Sequence, residues 1–149
     1  MATIAATIIH GLGIASGTAP GAGGPENGTI RLQKPFLRHH VPEIANCYDG
    51  TINLLLDTPF EIRIPDHVTP PIKWRPDDPS FDERFGLTAV WLELNGATHR
   101  AWIYTAEKSQ HLLKTGVVEL LAQRLDGVQY GVRCAITIDR GRPGELLVV

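Results

Sequence analysis

The sequence predicts a small, mainly β barrel formed as one domain. Seven or eight short stretches carry β-branched and apolar residues in strand-like patterns, separated by turn residues. Two of them flank Asn95-Gly96, a strong hairpin signal. Helical periodicity is scarce. At 149 residues, with 43% hydrophobic and 20% charged side chains, the chain can bury one sizeable core and has a globular composition.

Residues 3–9 are rich in Thr and Ile and form the first predicted strand. Residues 11–28 hold seven glycines and two prolines, which excludes a helix or a regular strand. Residues 29–32 read as a short returning strand, and residues 35–40 as one or two helical turns stopped by Pro42. Residues 51–56 are nearly continuous in apolar side chains, the pattern of a strand buried on both faces. Residues 61–64 alternate as a half-exposed strand does. Residues 65–85, rich in Pro and acidic residues, form a long connection ordered by Trp74 and Phe81. Residues 86–94 alternate, Asn95-Gly96 turns the chain, and residues 98–104 return. Residues 116–122 form a further strand because Val117 and Val118 are β-branched, and residues 132–138 close the barrel. Residues 145–149 add an edge strand.

The formal net charge is −2, so no general attraction to nucleic acid or to an anionic membrane is expected. Residues 1–9 are apolar but too few to span a bilayer, and they lack the basic start of a signal peptide. A cytoplasmic location is expected, and the sequon Asn27-Gly28-Thr29 is then a chance match. Cys47 and Cys134 stand in separate segments outside any CxxC pair and read as reduced, semi-buried thiols. His10, His39, His40, His67, His99 and His111 show no HxxxH or HExxH spacing and read as surface residues. The acidic residues Asp77, Asp78, Asp82 and Glu83 read as a solvated loop.

Two features carry chemistry. The first is the loop opening at His10-Gly11-Leu12-Gly13 and continuing through Gly17. Glycine lets backbone N–H groups turn toward an anion, although no Gly-Lys-[Ser/Thr] follows to make a Walker loop. The second is Asp49-Gly50-Thr51-Ile52-Asn53-Leu54. Thr51 and Asn53 are two apart, hence on one face of a strand, and both offer neutral, hard oxygen atoms suited to Mg²⁺ with substrate phosphates. Asn53 is conspicuous, because a carboxamide inside an apolar run needs a partner or a ligand. Glu119 interrupts Val117-Val118-Glu119-Leu120-Leu121-Ala122 in the same way, and reads either as a site carboxylate or as the water-facing residue of an alternating strand.

Gly11-Leu12-Gly13 followed by Gly50-Thr51-Ile52-Asn53-Leu54 resembles the CTP-dependent riboflavin kinases of archaeal type, loosely over residues 8–138. The resemblance implies a closed six-stranded cradle-loop (RIFT-type) barrel with short helices. It implies phosphate transfer from CTP to the 5′-hydroxyl of riboflavin, giving FMN and CDP. It places Mg²⁺ on Thr51 and Asn53, and nucleotide on Gly11, Leu12, Gly13 and Gly17, with Arg124 contributing from Gln123-Arg124-Leu125. It puts Glu119 at the flavin, where the carboxylate could also orient or deprotonate the attacking hydroxyl. Ser109, His111 or Thr115 stands where the family has a pocket threonine. Trp91, Trp102 and Tyr104 are candidates for packing on the ring, or core residues. The chain departs from the family in its longer glycine loop, its less basic segment after Ala122 and its residues 65–85. The alternative expectation is a non-catalytic module on the same barrel that binds a nucleotide, flavin or metabolite.

Overall fold

Six antiparallel strands close into a barrel in the computed structural model of the chain, which describes residues 2–10, 29–62, 64–108, 116–138 and 146–148. The elements are β1 (Ala2–Ile9), α1 (Thr29–His40), a 3₁₀ turn (Pro42–Asn46), β2 (Ile52–Leu56), β3 (Phe60–Ile62), β4 (His67–Val68), β5 (Phe85–Leu94), β6 (Ala97–Ala106), β7 (Val117–Ala122), β8 (Arg133–Ile138) and β9 (Leu146–Val148). The barrel order is β1-β2-β7-β6-β5-β8, and β8 pairs with both β5 and β1 to close the ring. β4 extends one end of β5, while β3 and β9 form a separate two-stranded ribbon. No helix among the described residues is long and apolar enough to cross a membrane.

Strand alternation sorts the apolar residues into two cores. Ala6, Ile8, Leu54, Leu56, Val90, Leu92, Ala101, Ile103, Leu120 and Ile136 face inward and fill the barrel. Phe85, Leu87, Trp102, Tyr104 and Leu121 point outward from β5, β6 and β7. They are covered by Ile30 and Leu37 of α1, by Val41 and Ile44 of the following turn, and by Ile72 and Trp74 of the long connection. The wall of the barrel is therefore buried on both sides here, and a polar side chain on its outer face can be enclosed without entering the barrel.

The Asn95-Gly96 hairpin forms as predicted. Asn95 has φ 51° and Gly96 φ 79°, the left-handed pair that a two-residue turn needs. The segment 29–40 does not hold a strand followed by a short helix. It is one helix, because Ile30, Gln33 and Leu37 fall on one buried face at helical spacing. Pro35 lies inside it on the exposed side, with no N–H to offer the Arg31 carbonyl. β2 is not buried on both faces throughout, since Leu55 is 46% exposed. The long connection is ordered by Trp74 and Phe81, whose rings meet edge to face at 5.8 Å. Glu83 is not solvated: it is buried, pairs with Ile72 in a β-bridge and accepts a hydrogen bond from Trp74 Nε1 at 3.1 Å. The thiols of Cys47 and Cys134 are separate and buried.

Candidate functional site

A row of polar side chains crosses the outer wall. Asn53 on β2 is the register partner of Glu119 on β7, and Glu119 is the partner of Tyr104 on β6. Their strand neighbours Leu54, Leu120 and Ile103 point into the barrel, so period-2 alternation turns all three polar residues outward together. Directly opposed residues of antiparallel strands bring their side chains within interaction range. Thr51, just before β2, donates its hydroxyl proton to Glu119 Oε1 at 3.1 Å. Three residues singled out from sequence, Thr51, Asn53 and Glu119, thus converge although 68 positions separate Thr51 from Glu119.

Asn53 is 8% exposed, and its Oδ1 is buried with no hydrogen-bond partner among the described residues. Such an atom is unusual in a folded chain, where buried polar groups are nearly always hydrogen-bonded. At the far end of the row, the Tyr104 hydroxyl donates to Gln33 Oε1 of α1. Burial, and secondarily the nearby Glu119 and Glu83 carboxylates, push the Tyr104 phenol well above its usual range, so it stays a neutral donor. Lys34, the next residue of α1, reaches the Asp49 carboxylate at 2.9 Å and the Cys47 carbonyl. The helix therefore ties down the Asp49-Gly50-Thr51 turn that leads into β2.

The described elements before and after the glycine-rich segment, β1 and α1, both reach this row. Ile9, the last residue of β1, is the register partner of Asn53. The next described element is α1, whose Gln33 and Lys34 contact Tyr104 and Asp49. Gly11, Leu12, Gly13 and Gly17 themselves lie outside the described residues, as do Ser109, His111 and Thr115. Arg124 follows the end of β7 on the Thr51 side, its guanidinium 5.9 Å from the ring of Tyr48. Tyr48 is 50% exposed and its N–H is bonded to the Ala122 carbonyl. Trp102 and Tyr104 are buried under α1 and the long connection, whereas Trp91 stacks under Arg100 at 4.0 Å on another part of the wall.

Sequence reasoning missed Gln33, Lys34 and the hydrogen-bonding role of Tyr104. The spacing of Ile30, Gln33 and Leu37 carried a signal for the first: a carboxamide in the middle of a buried helical face. Among the described residues, no three His, Cys, Asp or Glu side chains gather as a metal cluster. The donor set present is a hydroxyl, a carboxamide oxygen and one carboxylate. All are hard oxygen donors, which suits Mg²⁺ and does not suit a thiophilic metal. No protein-family model matches this chain, and no curated protein matches it either.

Proposed function

We propose that this barrel is a phosphotransferase of the CTP-dependent riboflavin kinase kind, acting with Mg²⁺ at the Thr51–Asn53–Glu119 row. One observation carries the reading: the buried Asn53 Oδ1, without a partner among the described residues, sits across from Glu119, which already accepts from Thr51. The sequence resemblance supplies the substrates. Thr51 and Asn53 would hold Mg²⁺ against the nucleotide phosphates, with Gly11, Gly13 and Gly17 offering backbone N–H groups and Arg124 its charge. The pairing of Ile9, at the end of β1 and two residues before Gly11, with Asn53 favours that arrangement. Bound Mg²⁺ supplies neutralisation of the charge on the phosphate oxygens. Glu119 would accept the proton of the riboflavin 5′-hydroxyl as its oxygen bonds to the γ-phosphorus. The bond from that phosphorus to the β–γ bridging oxygen breaks, leaving FMN and CDP, and the proton passes to solvent. Such transfer depends mainly on positioning, and the Lys34–Asp49 and Tyr104–Gln33 bonds brace the site from α1.

The test is an assay with riboflavin, Mg²⁺ and each of CTP, ATP, GTP and UTP, following FMN by chromatography. FMN formed with CTP alone, and lost in Asn53→Ala, is the expected result. No FMN with any nucleotide, from folded protein, overturns the kinase reading and leaves a binding module on the same barrel.

A further inference from the structure

We infer that Glu119 is itself a cation ligand, so that the chain binds a divalent metal of Mg²⁺ size before any nucleotide arrives. This rests on the reading of Thr51 and Asn53 as metal ligands but not on the kinase chemistry. Two neutral oxygens alone are a poor site for an ion that gives up water reluctantly; an adjoining carboxylate supplies the missing charge. Glu119 is placed to supply it, as the register partner of Asn53 and 3.1 Å from the Thr51 hydroxyl. That separation fits two neighbouring ligands of an octahedral ion, since oxygens at ~2.1 Å from Mg²⁺ on adjacent corners lie roughly 3.0 Å apart. The larger Ca²⁺ would need them farther apart.

The hydrogen bond also decides what Thr51 presents. A hydroxyl has one proton and two lone pairs. With the proton directed to Glu119 Oε1, the lone pairs are what remains for an ion. Asn53 contributes the third oxygen, and the lack of a donor for it among the described residues is the independent observation that favours an electropositive ligand there. A carboxylate has about four lone-pair sites. Ligation by Glu119 is therefore compatible with accepting a hydroxyl proton from a substrate.

Mn²⁺, an octahedral stand-in readable by electron paramagnetic resonance, tests this on the full chain without nucleotide. Wild type is expected to bind one Mn²⁺ that Mg²⁺ displaces better than Ca²⁺. Glu119→Gln keeps an acceptor for Thr51 and is expected to weaken binding tenfold or more, on the order of the 10- to 100-fold loss seen even for residues behind the ligands. Asn53→Ala should weaken it as well. Glu93→Gln, changed at an exposed position on β5, should bind as wild type does. Circular dichroism establishes that each variant is folded. Binding seen only when CTP is added would overturn this inference and leave the proposed function standing. Equal binding by wild type and Glu119→Gln would overturn the ligand role of Glu119. No binding with or without CTP would overturn both readings. Nucleotide-independent binding without FMN formation would sustain the metal site and overturn the kinase.

Discussion

Asn53 is the residue whose presence needs the most explanation. Its neighbours Leu54 and Leu56 fill the barrel, while its own carboxamide oxygen is enclosed without a donor among the described residues. An unsatisfied buried polar group costs about 1–3 kcal/mol on protein mutational scales. Asn53→Leu, the same in branching though somewhat larger, is therefore expected to raise unfolding stability by about 1 kcal/mol while weakening metal binding. Chemical denaturation and Mn²⁺ titration of the same variant check the two halves, and a variant less stable than wild type would show that Asn53 serves packing. Asn53 was legible from sequence because an amide broke an apolar run. Its neighbour across the sheet was not, since pairing between Asn53 and Glu119 is a matter of strand register.

Among the elements, α1 anchors one end of the polar row and the turn that precedes Thr51. The helix touches the row through the buried Tyr104–Gln33 bond and the half-exposed Lys34–Asp49 pair. The first matters more for stability, because neither partner can turn to water. Tyr104→Phe strands the Gln33 oxygen and is expected to cost about 1–3 kcal/mol. Gln33→Leu alone strands the phenol and should cost a similar amount. The double variant replaces both polar groups by apolar ones and should recover much of the loss, a coupling that a double-mutant cycle in urea measures. Additive losses would mean that the bond does not join helix to barrel. The Asn95-Gly96 hairpin could be read from sequence because its left-handed φ values are a local requirement. The helix start could not. Thr29-Ile30-Arg31-Leu32 alternates like a strand in a four-residue window and turns helical only because Gln33 and Leu37 continue its buried face.

The stability of the whole molecule should carry a signature of Glu83. Burial raises its pKa above the ordinary carboxylate value, and neighbouring Glu107 adds to that rise. The Lys108 N–H, Trp74 Nε1 and the Lys108 charge oppose it. The native chain therefore binds this proton more tightly than the unfolded chain does. As pH rises from the unfolded pKa to the folded one, stability falls; as pH drops back through that window, the deficit disappears. Glu83→Gln lacks this titration. The melting temperature of wild type relative to Glu83→Gln is expected to rise as pH is lowered from neutrality toward the ordinary carboxylate range, and a constant difference between the two would refute it.

Alternation and turn residues alone reveal the class of fold, most strand positions and two polar residues, Asn53 and Glu119, out of place in apolar runs. Alternation and turn chemistry are short-range properties, so they can be read one segment at a time. Tertiary structure alone decided that β8 closes the ring between β5 and β1, that α1 covers the outer wall and that Thr51, Asn53 and Glu119 converge. It also decided that Glu83, on an acidic loop, is buried against Trp74. The physical reason is the same in each case. Which strand lies beside which, and in what register, depends on burying two cores at once across distant parts of the chain, and no local window contains that condition.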